Sequence, residues 1–366
     1  MAASKDARHS RVGQDAVTPR IWSIWLRRGL VARLLWPVSV FFRTIVFLRQ
    51  FLYRRGVLRT VRLPVPVIVV GNLLVGGTGK TPFTIWLVEA LRAAGYRPGV
   101  ISRGYGGQRA QVHQVFASSK ASDTGDEPVL IARRTGCPLF VGRDRIAAAG
   151  ALLDAHHEVD VIVSDDGLQH YRLQRDVEVV LSDSRGVGNG WLLPAGPLRE
   201  PSGRRYDFSV VNLGSSADAV TTDLPPPTSP PGFKGPFIMR LVATSMEKLG
   251  DARCRMTLAE LASRVPAPSI TAAAGIGNPA RFFTTLRIAG LDFVPLPLPD
   301  HYPFSAGTFA DCATELILIT EKDAVKCMEI AALTNDPRIW VVPVSAQLAA
   351  PLADYIVEKL RGHETA

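Results

Sequence analysis

The run "GNLLVGGTGKTP", Gly71 to Pro82, constrains this chain more than any other stretch. It follows the apolar run Val65-Pro66-Val67-Ile68-Val69-Val70, which reads as a buried strand. A strand emptying into a glycine-rich turn and then a helix turns backbone N–H groups inward on nucleotide phosphates. Leu74 stands where the full Walker A pattern has its first glycine, so what remains is the G-G-x-G-K-T form of the deviant P-loops. Val75 occupies the place of the extra lysine those loops carry. The physical requirements are still met. Gly76, Gly77, Thr78 and Gly79 form the cradle, Lys80 reaches β/γ oxygens, and Thr81 can ligate Mg²⁺. Pro82 is tolerated in the first helical turn, where its missing N–H has no partner to lose. The motif predicts a site for ATP with Mg²⁺; the bland alternative is a structural glycine-rich turn.

The rest of the body alternates short apolar strands with helical patterns. Residues 65–70, 98–102, 159–164, 177–182 and 208–213 read as strands buried on both faces. Helices between them, such as 82–94 and 143–155, give the signature of a doubly wound, mostly parallel sheet. The segment 214–235, rich in proline and small polar residues, breaks the pattern as a linker would. A second α/β block follows, with strands near 237–242, 269–274, 316–320 and 340–344 and helices near 258–264, 279–289 and 351–360. The expected layout is a disordered extension over 1–20, a basic amphipathic segment over 21–62 and a P-loop lobe over 63–224. A linker over 225–235 and a smaller α/β lobe over 236–366 complete it. A ligand site between lobes is the economical reading.

A P-loop needs acid at the end of a neighbouring strand. "VDVIVSDDGLQH" supplies Asp165-Asp166 as a Walker B arrangement, with a helix cap as the alternative. Gln169 and His170 follow on the same turn and are candidates to face the site. "SRGYGG" places Arg103 and Tyr105 at the carboxyl edge of the second strand, suited to an acidic, sugar-bearing substrate. "TGDEP" sets Asp126 and Glu127 before a helix, where N-capping is the competing role. "LLPAGPLREP" holds Arg199-Glu200 in a stiff loop, and "LPDHYPF" puts His301 in a loop of the second block.

Charge is unevenly placed. The chain carries a formal net charge of +9, yet residues 1–62 hold 13 Lys/Arg against two acids, leaving the remainder at −2. Residues 1–20 lack the apolar run of a secretory signal. Residues 21–58 are rich in Trp, Leu, Phe and Val but carry an arginine every few positions. Their longest uncharged stretch, 34–42, is nine residues against about 20 for a bilayer span. That pattern fits a helix lying in the headgroup layer of an anionic membrane, with Pro37 expected to kink or divide it. Packing on the protein's own core and a nucleic-acid arm are the competing readings. Four cysteines without a C-x-x-C pair fit reduced thiols and argue against a disulfide framework or zinc site.

Taken in order, "GNLLVGGTGKTP", "SRGYGG", "TGDEP", "DDGLQHYRLQRD", "LLPAGPLREP", "GIGNPARFF", "DHYPF" and "TEKDAVK" closely resemble the tetraacyldisaccharide 4′-kinases, the lipid A 4′-kinases of Gram-negative bacteria. The basic aromatic arm also resembles that family's membrane-associated helix. The resemblance implies two α/β lobes joined by a hinge, and transfer of the ATP γ-phosphate to the 4′-hydroxyl of a tetraacylated glucosamine disaccharide 1-phosphate. It implies Asp126 as catalytic base with His301 as its orienting partner. It implies Lys80 and Thr81 on phosphates and Mg²⁺, and Asp165 and Asp166 on the metal side. Arg103, Tyr105, Glu127, Gln169, His170, Arg199 and Glu200 would meet the lipid headgroup. The implied partners are the acylated disaccharide lipid and an anionic membrane surface at the cytoplasmic face of the inner membrane, with no nucleic acid and no obligate protein partner. A membrane-associated P-loop ATPase acting as a switch or delivery factor is the rival, weakened by the missing lysine at Val75.

Overall fold

The computed structural model describes residues 20–104, 111–214, 236–264, 269–348 and 351–363. The expectations for residues 1–19, for Tyr105 and for the linker at 225–235 lie outside these described residues.

Two sheets organise the chain. The larger has nine strands in the spatial order Ser345–Leu348, Phe237–Val242, Phe208–Asn212, Val177–Asp183, Val67–Asn72, Val161–Asp165, Pro98–Ser102, Leu139–Val141 and His113–Gln114. Only its two edge pairings are antiparallel. Parallel strands covered on both faces need continuous apolar runs, and Val67–Asn72, Val161–Asp165 and Phe208–Asn212 are buried at every residue. The strand ending at Asn72 lies between those ending at Asp165 and Asp183. Strand order reverses there, which makes the carboxyl edge a ligand-binding crevice. The helix Lys80–Ala93 leaves that edge and seats Phe83, Leu87 and Leu91, spaced i, i+4, i+8, in the core.

The smaller sheet runs Asp251–Thr257, Ser245–Lys248, Ile339–Val342, Leu316–Thr320, Ile270–Ala274 and Val294–Pro297. Its core gathers Phe282, Phe283 and Leu286 from the helix Pro279–Ile288.

Lobe membership differs from the expected division at 236. Phe237–Val242 is a parallel strand of the larger sheet, and Ser345–Leu348 pairs antiparallel with it. The terminal helix Leu352–His363 buries Leu352, Ile356 and Leu360 in the larger lobe's core. The second lobe is therefore an insertion of about 100 residues, entered between Val242 and Ser245 and left between Val342 and Ser345. A pattern of alternating strands and helices carries no record of which sheet each strand joins, so the sequence could not show this.

The arm is a helix of 25 residues, Leu30–Arg54, running through Pro37 without being divided. Pro37 and Arg33, the residue whose carbonyl loses its usual partner, are both exposed, so no core packing seals that carbonyl from water. The helix is long and apolar enough to cross a membrane, with a mean hydropathy of 1.7 over its best window. Yet one side is docked on the body. Ser39 Oγ donates to the Leu192 carbonyl at 2.8 Å, and Gln50 Nε2 donates to Tyr171 Oη at 2.7 Å. Trp25 Nε1, from the preceding short helix, donates to the Pro194 carbonyl at 2.9 Å. The outward side shows Leu34, Phe41 and Phe47, 66–71% exposed. Both sides carry apolar side chains: Ala32 is buried and Phe42 packs on the body's core, while Arg33 and Arg43 are exposed alongside the outward Leu34, Phe41 and Phe47.

Candidate active site

The glycine turn arrives where the motif predicts. Gly79 holds φ +89°, and a Cβ there would fall 2.3 Å from Asn212 Nδ2. That amide donates to the Thr78 carbonyl at 3.0 Å, so only glycine lets the loop close on its support. Lys80 Nζ donates to Asn72 Oδ1 at 3.3 Å and lies 3.4 Å from Asp166 Oδ1. Thr81 is nearly buried in the first helical turn and lines the same cleft as Gly77, Thr78, Gly79 and Lys80. Gly76, with φ +99°, opens the turn.

The two aspartates are held differently. Asp165 is 1% exposed and accepts from Thr84 Oγ1 at 3.1 Å and Ser102 Oγ at 3.4 Å. Burial, with the nearby charges of Glu127 and Asp166, pushes its carboxyl up to about 6, held back by Lys80 and Thr84. Asp166 is also pushed up by burial, but Lys80 and Arg199 outweigh this and keep it below the usual carboxylate range. Arg199 Nη1 lies 3.3 Å from its Oδ1. Asp166 and His301 are the two non-glycine residues at positive φ among the described residues, at 49° and 57°. Backbone strain of this kind gathers where structure serves a site.

His301 comes from the second lobe. Its Nδ1 lies 3.2 Å from Asp126 Oδ2, across 175 positions. Burial raises Asp126, but the His301 hydrogen bond and the charges of Lys322 and Lys326 outweigh it and hold the carboxyl low. The hydrogen bond that His301 donates to Asp126 raises the imidazole, against burial and Lys322. Lys322 Nζ donates to Glu127 Oε1 at 3.1 Å, and Lys326 Nζ lies 3.8 Å from Asp126 Oδ2. Between the lobes lies a cleft of about 200 Å³, lined by Gly77–Pro82 and Glu127 on one side and Gly277, Asn278, Arg281 and Lys322 on the other. Arg281 reaches back to Asp183 at 2.9 Å, and Asp183 is fully buried.

A scan of family models matches residues 31–361 to "Tetraacyldisaccharide-1-P 4'-kinase". The chain belongs to the tetraacyldisaccharide 4′-kinase family. A relative of that name from Janthinobacterium sp. (strain Marseille) is 57% identical over 93% of this chain and 96% of its own length. Another from Herminiimonas arsenicoxydans is 56% identical over 93% and 95%. The crystal structure of the Aquifex aeolicus protein LpxK in complex with ATP superposes with a TM-score of 0.71. It is 27% identical, covering 91% of this chain and 99% of that one.

In this tetraacyldisaccharide 4′-kinase relative, the expected site residues do not all gather at the cleft. Lys80, Thr81 and Glu127 line it, Asp166 lies behind Lys80 at 3.4 Å, Asp165 is buried beneath Thr84, and Asp126 with His301 lines a separate pocket. Gln169 Nε2 donates to the Asn72 carbonyl at 3.3 Å, supporting the strand that carries the loop. His170 is half-buried, and burial and then Arg145 depress it to about 4, so it is neutral at ordinary pH. Arg103 is exposed on the loop after its strand. Glu200 departs most from expectation. It is 1% exposed, with Oε2 accepting from Arg204 at 2.6 Å and from Gln50 at 3.2 Å, so it fastens the arm helix to the body.

Several residues were missed. Asn72 and Asn212 brace the loop, Thr84 and Ser102 hold Asp165, and Asp183 anchors Arg281. Their side chains are ordinary in sequence and acquire roles only where strands end side by side. Lys322 and Lys326, spaced i, i+4 in "TEKDAVK", did carry a signal: two cations on one helical face.

Mg²⁺ suits this donor set. No group of three or more His, Cys, Asp or Glu capable of holding a metal occurs among the described residues. Mg²⁺ asks for less: one or two carboxylates, a hydroxyl and phosphate oxygens, with water completing the shell. Thr81 with Asp165 or Asp166 meets that need, and the raised Asp165 marks a buried carboxylate that a cation would stabilise.

Proposed function

We propose that this kinase transfers the γ-phosphate of ATP to the 4′-hydroxyl of a tetraacylated glucosamine disaccharide 1-phosphate at the cytoplasmic face of the inner membrane. The observation that carries the reading is adjacency: a P-loop from one lobe lines the inter-lobe cleft, and the Asp126–His301 pair joining both lobes lines a second pocket connected to it through Lys322, which sits 3.1 Å from Glu127 and 4.0 Å from Asp126. Lys80 would leave Asp166 to bind β/γ oxygens, and Thr81 with the Asp165-Asp166 pair would hold Mg²⁺. Mg²⁺, when bound, neutralises phosphate charge and orients the transferring group. The apolar walls from Ile85, Leu130, Phe282 and Val342 suit a purine ring.

Asp126 takes the hydroxyl proton, and His301 orients it and shares the developing charge. Because His301 is contributed by the second lobe, the base is complete only when the lobes are closed, which limits transfer to water. The outward Leu34, Phe41 and Phe47 would sit among lipid acyl chains, bringing the site to a substrate that does not leave the bilayer. The fit of residue types, the family and the cleft geometry support this reading. ATP turnover should require the lipid acceptor: hydrolysis at full rate with no acceptor would contradict it.

A further inference from the structure

Lys322, whose side chain is 19% exposed, has no task in the mechanism above. Lys322 stands in the first turn of the helix Glu321–Cys327, where a positive charge opposes the helix dipole, so helix stability does not explain it. Its Nζ lies 3.1 Å from Glu127 Oε1, 4.0 Å from Asp126 Oδ2 and 4.0 Å from Asp300 Oδ1. It also lines the inter-lobe cleft facing Lys80 and Thr81. Lys326, one turn on, is near Asp126 but donates to the Tyr302 carbonyl and lies outside that cleft lining.

We propose that Lys322 is the second lobe's phosphate-binding cation, exchanging Glu127 for a γ-phosphate oxygen of the bound nucleotide. The proposal rests on the kinase reading and adds a residue to it. Phosphoryl transfer spreads charge over three equatorial oxygens, and Lys80 approaches from the first lobe alone. A cation entering from the opposite wall completes the clamp only with the lobes together. In the step itself the acceptor oxygen bonds to Pγ while the Pγ–O bond to the β-phosphate breaks. The hydroxyl proton passes to Asp126, ADP keeps the bridging oxygen, and Lys322 retains its proton.

The charged groups about Asp126 are His301, Lys322 and Lys326 from the second lobe and Glu127 beside it. Glu127, Asp126 and Asp300 keep Lys322 charged despite burial, so it arrives ready to bind an anion.

The test is calorimetric, on the full chain with Mg²⁺ and no lipid, comparing a non-hydrolysable β,γ-imido ATP analogue with ADP. Lys322→Ala and Lys322→Gln should each weaken the analogue at least about tenfold while leaving ADP within about twofold, the scale of one charged hydrogen bond. Lys322→Arg should recover part of the loss, and Lys326→Ala should keep the ratio of the unaltered protein. Equal losses for both nucleotides, or none, would overturn the role, as would a Lys326→Ala effect of the same size and selectivity. The kinase reading is judged separately by lipid phosphorylation in the unaltered protein, so the two can fail independently.

Discussion

Removing His301 and Asp126 singly and together asks whether residues from two lobes act as one catalytic unit. The carboxylate is 4% exposed and the imidazole 37%, at 3.2 Å. A charge-assisted hydrogen bond contributes about 1.5–3 kcal/mol, and partial exposure of His301 places this one near the lower end. About 1.5 kcal/mol corresponds to roughly tenfold in rate. His301→Ala should therefore lower kcat about tenfold. Asp126→Ala removes the base itself and should lower kcat by about 10²–10⁴-fold. With Asp126 gone, His301 has nothing to orient, so the double variant should match Asp126→Ala within about threefold. The assay is kcat at saturating lipid, ATP and Mg²⁺, with folding checked by thermal unfolding. Losses that multiply in the double variant would refute the unit, even if each residue matters.

Gly79→Ala forces a side chain into positive φ and onto Asn212 at 2.3 Å. Nucleotide affinity should fall at least about tenfold, since strain of about 1–3 kcal/mol is concentrated in the phosphate loop; unchanged binding by calorimetry would refute the loop's role. Phe41→Ser with Phe47→Ser should weaken sedimentation with anionic vesicles by at least about tenfold, because two rings no longer enter the acyl layer. Unaltered partitioning would mean that the outward face is not a membrane surface. The Asp126–His301 pair should also tie the lobes in a pH-dependent way. His301 is raised, so its contribution is complete below about pH 6.5 and fades as pH climbs through the raised value. Asp126 is lowered, so its contribution is complete above about pH 4 and fades below that. The Tm difference between the unaltered protein and His301→Ala should peak between these limits and shrink toward pH 9; a constant difference would contradict the linkage.

The legible parts of this molecule were those written in local chemistry. The loop 76–81 needs consecutive residues with particular backbone freedom, so a short string suffices to place it. Buried parallel strands are near-continuous apolar runs, and Pro98–Ser102, Phe237–Val242 and Leu316–Thr320 are read with the bounds they have in the fold. What escaped depends on partners far along the chain. The chain crosses between lobes at 242–245 and 342–345, a hundred residues apart, because two antiparallel strands of the larger sheet both open into the second lobe. Glu200 was placed among the headgroup residues by family resemblance; its neighbours in the fold, Gln50 and Arg204, are settled by how the arm docks. Asp126 and His301 were paired by family resemblance, and the fold brings them within 3.2 Å.

The central claim is that this chain phosphorylates one hydroxyl of a membrane-bound disaccharide. Its most direct test is to incubate the full chain with γ-labelled ATP, Mg²⁺ and tetraacylated disaccharide 1-phosphate in mixed micelles, then locate the label in the lipid fraction. The account predicts one labelled phosphate per lipid, on the 4′-oxygen by phosphorus NMR, and none with Asp126→Ala at matched times. Label released only as inorganic phosphate, with the lipid unchanged, would contradict it.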